Sequence, residues 1–180
     1  MPLRILAFVG SLRRESVHKK LIRAASDLAP RDMQVEFLDI AEIPLYNMDR
    51  EANPPEPVVE LKRKIREADG VLIGVPEHNY SFSGVLKNAV DWVSRPVAEQ
   101  PFRDKPVALV SASPGMFGGA RAQYQFRQVL FYLDAKQFGR EFFLPHCAQK
   151  FDEAGNLTDE QDRKRLQEFL AAFAEFIGQR

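Results

Sequence analysis

Three short polar stretches, each directly after an apolar run, hold most of the chain's capacity for chemistry. The first is Gly10-Ser11-Leu12-Arg13-Arg14-Glu15-Ser16. It leaves a run of strand-like residues and opens a run with helical spacing. Free main-chain N–H groups and the positive end of a helix dipole make such a turn an anion site. Ser11 and Ser16 add hydroxyls and Arg13 adds charge, so a phosphate suits it. The plainer reading is that Ser16 only caps a helix and the arginines are solvated. Gly10 is not followed by the further glycines of a dinucleotide-binding turn, and no G-x-x-x-x-G-K-[ST] loop occurs. A monophosphate held by hydroxyls and main chain fits better than a pyrophosphate.

The second stretch, Pro76-Glu77-His78-Asn79-Tyr80-Ser81-Phe82-Ser83-Gly84, packs an acid, an imidazole, an amide, a phenol and hydroxyls together. It has the groups to read the polar edge of a flat heteroaromatic ligand and to lie against its face. It also reads simply as a turn, with Ser83 capping the next helix. The third, Ser111-Ala112-Ser113-Pro114-Gly115-Met116-Phe117-Gly118-Gly119, has the glycines that let main chain approach a ligand closely. Alone it is a glycine-rich entry to a helix.

These stretches need a scaffold that brings them to one edge. Leu3–Val9, Met33–Leu38, Gly70–Val75, Pro106–Ser111 and Lys136–Leu144 read as five strands. Helical spacing fills Ser16–Leu28, Val58–Ala68, Ser83–Ser94, Ala120–Leu133 and Asp159–Ile177, the last capped by Thr158. A proline-rich loop runs over 43–57, long enough to suggest a cover or a binding role. The near-continuous apolar run at Gly70–Val75 fits a strand covered on both faces. Alternation of this kind predicts an α/β, doubly wound, three-layer architecture formed by one domain over 1–180. In such folds ligands bind past the carboxyl ends of the strands, where all three stretches fall.

Composition agrees with a globular chain. Of 180 residues, 45% are hydrophobic and 28% charged, with 14 phenylalanines. Lys+Arg and Asp+Glu are 25 each, which disfavours a dedicated nucleic-acid binder and a strongly acidic carrier alike. No apolar run approaches the roughly 20 residues of a membrane span, and a cytoplasmic protein is expected. Cys147 is the single cysteine and reads as a small buried side chain. His18, His78 and the adjacent His146 and Cys147 form no metal spacing, so no metal site is expected. The last helix, rich in phenylalanine, reads as core. Residues 123–133, with Tyr124, Phe126, Phe131 and Tyr132, hold more aromatics than one buried face needs. With Trp92 they could form a subunit interface.

Together the stretches resemble a known family. Gly10-Ser11-Leu12-Arg13 with Ser16 is similar to the phosphate loop of the NAD(P)H-dependent FMN reductases, a flavodoxin-like group that includes quinone, chromate and azo-dye reductases. Pro76-Glu77-His78-Asn79-Tyr80-Ser81, followed by Gly84-Val85-Leu86-Lys87-Asn88-Ala89 and Asp91-Trp92, resembles that family's most recognisable segment. Ser111–Gly119 resembles its third flavin loop. The likeness runs from Leu3 to Leu133.

The resemblance implies a five-stranded parallel sheet of order 2-1-3-4-5 and one non-covalent FMN per chain. Ser11, Arg13 and Ser16 would hold the phosphate. Pro76, Glu77, His78, Asn79 and Tyr80 would line the isoalloxazine, and Ser113 and Gly115 would close the far side. His18 stands where the family often has Asn and leaves an anion contact open, particularly if protonated. His78 stands where Tyr is common. The implied reaction is ping-pong: hydride passes from NAD(P)H to the flavin, then to quinones or similar acceptors such as chromate, azo dyes or free flavin. No side chain is assigned a catalytic role. Arg14, Arg50 and Arg121 are candidates for a 2′-phosphate. Relatives are usually dimers or tetramers, which implies a homo-oligomer. An electron carrier or a flavin-binding regulator without turnover are the alternatives.

Overall fold

The computed structural model describes residues Pro2–Gln179. A parallel sheet forms the middle layer, built from β1 (Leu3–Val9), β2 (Met33–Phe37), β3 (Gly70–Gly74) and β6 (Pro106–Ala112), with β7 (Lys136–Gln137) and β8 (Phe142–Leu144) beside β6. A separate antiparallel pair, β4 (Glu77–His78) and β5 (Ser81–Phe82), lies outside it. The helices are α1 (Val17–Leu28), α2 (Glu56–Glu67), α3 (Gly84–Val93), α4 (Ala120–Tyr132) and α5 (Glu160–Gly178).

Strand alternation divides the core into two layers. Ile5, Ala7 and Val9 point to one face, where they pack with Leu21, Ala25, Leu166 and Phe173 of α1 and α5. Leu6 and Phe8 point to the other, with Leu61, Ile65, Val90 and Phe126 of α2, α3 and α4. Burial on both sides explains why β3, Gly-Val-Leu-Ile-Gly, is apolar without alternation.

The sheet order is β2-β1-β3-β6-β7, with β8 also parallel to β6. The doubly wound order therefore holds, but the expected fifth strand over 136–144 is two short strands, making six in the sheet. Arg127 of α4 explains the break. Its guanidinium donates to the carbonyls of Phe138 and Arg140, at 3.1 and 3.3 Å, so these carbonyls need no strand partner.

Two further expectations are corrected. The N-cap of α5 is Asp159, whose carboxylate accepts the N–H of Asp162 at 2.9 Å, whereas the Thr158 hydroxyl donates to the Lys150 carbonyl. A carboxylate also complements the helix dipole there. Trp92 is core rather than interface. It is 1% exposed, and its Nε1 donates to the Pro44 carbonyl at 2.8 Å. Asn88 donates to the same carbonyl and accepts from the N–H of Tyr46. The proline-rich loop is thus strapped to α3. Among the described residues no helix is long and apolar enough to cross a membrane.

Candidate active site

The order in which strands are added reverses between β1 and β3, which run parallel, and the crevice beyond their carboxyl ends is where this fold places ligands. Loop one (10–16) leaves β1 there. Loop two (76–83) leaves β3, and loop three (113–119) leaves β6.

Loops one and two are locked together at their roots. The Ser83 hydroxyl donates to the Gly10 carbonyl at 2.6 Å and accepts from the Leu86 N–H at 3.2 Å. One buried side chain therefore caps α3 and ties it to the end of β1. Only glycine fits at position 10, since a Cβ would lie 2.6 Å from the Ser83 hydroxyl and 2.8 Å from Leu86 Cβ.

Loop one then reaches Ser16, the N-cap of α1. Ser16 is buried, yet its Oγ caps no N–H and has no hydrogen-bond partner. A stranded buried hydroxyl costs about 1–3 kcal/mol. It lies where the first N–H groups of α1 are left over by helix geometry. A phosphate oxygen is the chemistry that answers both needs. Ser11 Oγ accepts the Arg13 N–H at 3.4 Å, and the Arg13 side chain stands exposed at the rim. The loop fits the phosphate of FMN.

His18 does not face that anion position as a free cation. It is buried, and its Nε2 accepts the Ala112 N–H at 3.2 Å. Burial pulls its pKa down to about 4, against which a hydrogen bond to the Val75 main chain works in the opposite sense. The anion contact left open to His18, particularly if protonated, thus falls on a buried ring that ties main chain and whose pKa is lowered.

Loop two is a hairpin, which the sequence reading did not foresee. Glu77 and His78 pair with Phe82 and Ser81, and Asn79 and Tyr80 turn the chain with φ of 49° and 67°. Two consecutive residues at positive φ match the twist of a two-residue hairpin turn. The hairpin is clamped by α4. Gln125 donates to the Tyr80 carbonyl at 2.9 Å and accepts from the Ser81 hydroxyl at 2.6 Å. Phe82 meets Phe126 edge-on at 5.2 Å.

Arg121 joins loops two and three. Its guanidinium lies 3.2 Å from Glu77 Oε1, 4.2 Å from the Tyr80 ring centre and 4.1 Å from that of Phe117. The other Glu77 oxygen, Oε2, is buried without a partner. Sequence reasoning weighed Arg121 only as a phosphate contact and did not single out Gln125. Their i, i+4 spacing on α4, opposite the hairpin, was the available signal. Arg14 and Arg50 are exposed and stand outside this clamp.

Loop three is anchored from below. The Ser111 hydroxyl donates to the Gly118 carbonyl and accepts from Gln123, which also donates to the Phe142 carbonyl. Ser113 bonds through its main chain to Leu144 and Cys147. At Gly119, φ is 89° and a Cβ would lie 2.7 Å from Ser111 Cβ, so the turn requires glycine. Gly115 is exposed and bonds through its carbonyl to the His146 N–H.

The family model of the NADPH-dependent FMN reductases matches residues 3–149, which include all three loops. The chain belongs to that family. It is 41% identical to a 2-hydroxy-1,4-benzoquinone reductase of a Burkholderia species, over 100% of this chain and 99% of that protein. It is 44% identical to an NAD(P)H-dependent FMN reductase of Pseudomonas aeruginosa, over 94% of this chain and 92% of that one. Among solved structures it resembles FerB, a flavoenzyme NAD(P)H:(acceptor) oxidoreductase from Paracoccus denitrificans, with a TM-score of 0.89 and 35% identity. That likeness covers 98% of this chain and 97% of FerB. For an FMN reductase, the converging loops are the expected cofactor site.

Proposed function

We propose that this protein is an FMN-dependent NAD(P)H oxidoreductase that reduces quinones and similar small acceptors at the crevice bounded by the three loops. Family membership supplies the enzyme class, the cofactor and the nicotinamide co-substrate. The quinone acceptor is supported by the benzoquinone reductase it resembles. The observation that carries the placement of the cofactor is the buried, unpartnered Ser16 Oγ at the start of α1.

In this reading Ser11, Arg13, Ser16 and the first N–H groups of α1 hold the phosphate. Pro76, Glu77, His78, Asn79 and Tyr80 line the isoalloxazine, and Ser113 and Gly115 close the far side. FMN held there would supply the two-electron chemistry that links NAD(P)H to the acceptor. The protein's part is to bind and orient. The hairpin, held by Gln125 and Arg121, fixes the main chain of loop two against movement. Arg121 holds Tyr80 and Phe117 as side walls and balances the Glu77 carboxylate. Main-chain N–H groups of loop two, where they face the ring, would favour negative charge on it. No acid or base of the protein is given a step.

The enzyme works as a homo-oligomer in this reading. Phe131 and Tyr132 on α4 are 79% and 74% exposed, beside an open groove of about 740 Å³ between α3 and α4. A second copy of the chain is the occupant proposed for this face, with Phe131 and Tyr132 as its anchors. Light scattering should report a dimer or tetramer, and Phe131→Asp with Tyr132→Asp should dissociate it. A wild-type monomer at micromolar concentration would end that part of the reading. One free, buried cysteine suits a reducing compartment, and the cytoplasm is proposed as the place of work.

The test of function is anaerobic. Protein loaded with FMN and desalted should stay yellow and bleach on addition of NADPH or NADH, and benzoquinone should restore the colour. Colourless protein after loading would refute the reading.

A further inference from the structure

His18 stands at the base of the site just described. It is the second residue of α1, and its ring is buried between two strand ends. Nε2 accepts the N–H of Ala112, the last residue of β6. The ring also lies by the main chain of Val75, the residue after β3, whose polar group favours a proton on it. Loop two begins at the next residue, Pro76, and loop three at Ser113. Val75 still donates to the Val110 carbonyl, but Pro76 has no N–H with which to continue the ladder. The imidazole thus bridges β3 and β6 where their own pairing stops.

Only one protonation state can do this. Accepting at Nε2 while donating at Nδ1 requires the neutral ring with its proton on Nδ1. A second proton would set an N–H against the Ala112 N–H. Gly74 faces the ring from β3, where a Cβ would lie 3.4 Å from His18 Cβ. The titratable group whose charge reaches it is His78 of loop two. On its own helix, Lys19 and Lys20 are paired at the surface with Asp39 and Glu15.

We infer that His18 is a positioning residue that sets the spacing of loops two and three through the main chain of Val75 and Ala112, and that its protonation loosens the crevice and releases FMN. This rests on the FMN site proposed above.

The test follows FMN fluorescence as loaded protein is titrated from neutral to acid pH, in wild type, His18→Gln and His18→Leu. A Gln amide can donate to Val75 and accept from Ala112 without titrating. His18→Gln should bind FMN within about threefold of wild type at neutral pH, and its release should shift to acid by about one pH unit or more. His18→Leu should bind about tenfold more weakly at every pH, having lost both bonds. Release from His18→Gln at the wild-type pH, or wild-type affinity in His18→Leu, overturns the proposal. Apo wild type supplies a second measurement that needs neither FMN nor a variant. In ¹H–¹⁵N spectra the amides of Val75, Glu77, Ala112 and Ser113 should titrate together with His18. Amides that stay fixed while His18 titrates overturn the proposal. Wild type that never retains FMN contradicts the cofactor reading instead, and the amide titration still decides the role of His18.

Discussion

Arg121 Nη1 lies 3.2 Å from Glu77 Oε1, joining α4 to the hairpin of loop two while its guanidinium fills the space between the rings of Tyr80 and Phe117. One residue outside every loop motif therefore sets the relation of two loops. Lys would keep the charge but lose the flat face that stacks on both rings.

Arg121→Ala should lower stability by about 1–2 kcal/mol. The ion pair alone is part-exposed and worth less, but the change also leaves the Glu77 carboxylate without its cation. FMN should be held several-fold more weakly. Arg121→Lys should recover stability better than FMN affinity. Denaturant titration and fluorescence titration measure the two, and equal recovery in both would contradict the stacking role.

Ser16→Ala separates binding from folding. Because Ser16 Oγ has no partner in the protein, removing it should leave apo stability unchanged or slightly raised. With Arg13→Ala added, FMN should bind at least about tenfold more weakly, the loss of one or two charge-assisted contacts. A large drop in apo stability would show that the hydroxyl has a structural partner after all.

Apo stability should fall in acid over a defined window. His18 has a folded pKa lowered to about 4 from an ordinary 6.5. Above pH 6.5 the ring is neutral folded and unfolded, so it adds no slope. Between 6.5 and 4 the unfolded chain takes up the proton and the folded one does not. His18 alone then withdraws up to about 3 kcal/mol as pH falls through that window. Urea unfolding at pH 7 and pH 4.5 should show a smaller difference in His18→Gln than in wild type. Equal differences would mean that His18 does not set the slope.

Gly10→Ala should damage both fold and site. Its Cβ would collide with Ser83 Oγ and Leu86 Cβ, the contacts that fasten β1 to α3. Overpacking of this kind costs about 1–3 kcal/mol. Thermal unfolding should fall accordingly. An unchanged unfolding midpoint would contradict the close packing at Gly10.

The long elements were legible because two-sided burial writes itself into composition. β1 falls on Leu3–Val9 and β3 within Gly70–Val75, as their apolar runs imply. The convergence of the three loops followed from topology alone. What was not legible depends on partners distant in sequence. The β4–β5 hairpin has two-residue strands, too short for periodicity, and Tyr80 at positive φ is not a turn signal. The broken fifth strand depends on Arg127, which reaches it from α4. His18 read as a phosphate neighbour because the family resemblance put it where Asn is common. Its direction, toward Val75 and Ala112, is set by the helix turn and the sheet behind it.

The central claim is that loop one holds a phosphate and thereby FMN. Paired titrations of apo protein with FMN and with riboflavin, which lacks the phosphate, test it most directly. Wild type should prefer FMN by at least about tenfold, and the Arg13→Ala, Ser16→Ala variant should lose most of that preference while binding riboflavin as before. An undiminished preference for FMN in the variant would contradict the assignment of the phosphate to Ser16 and Arg13.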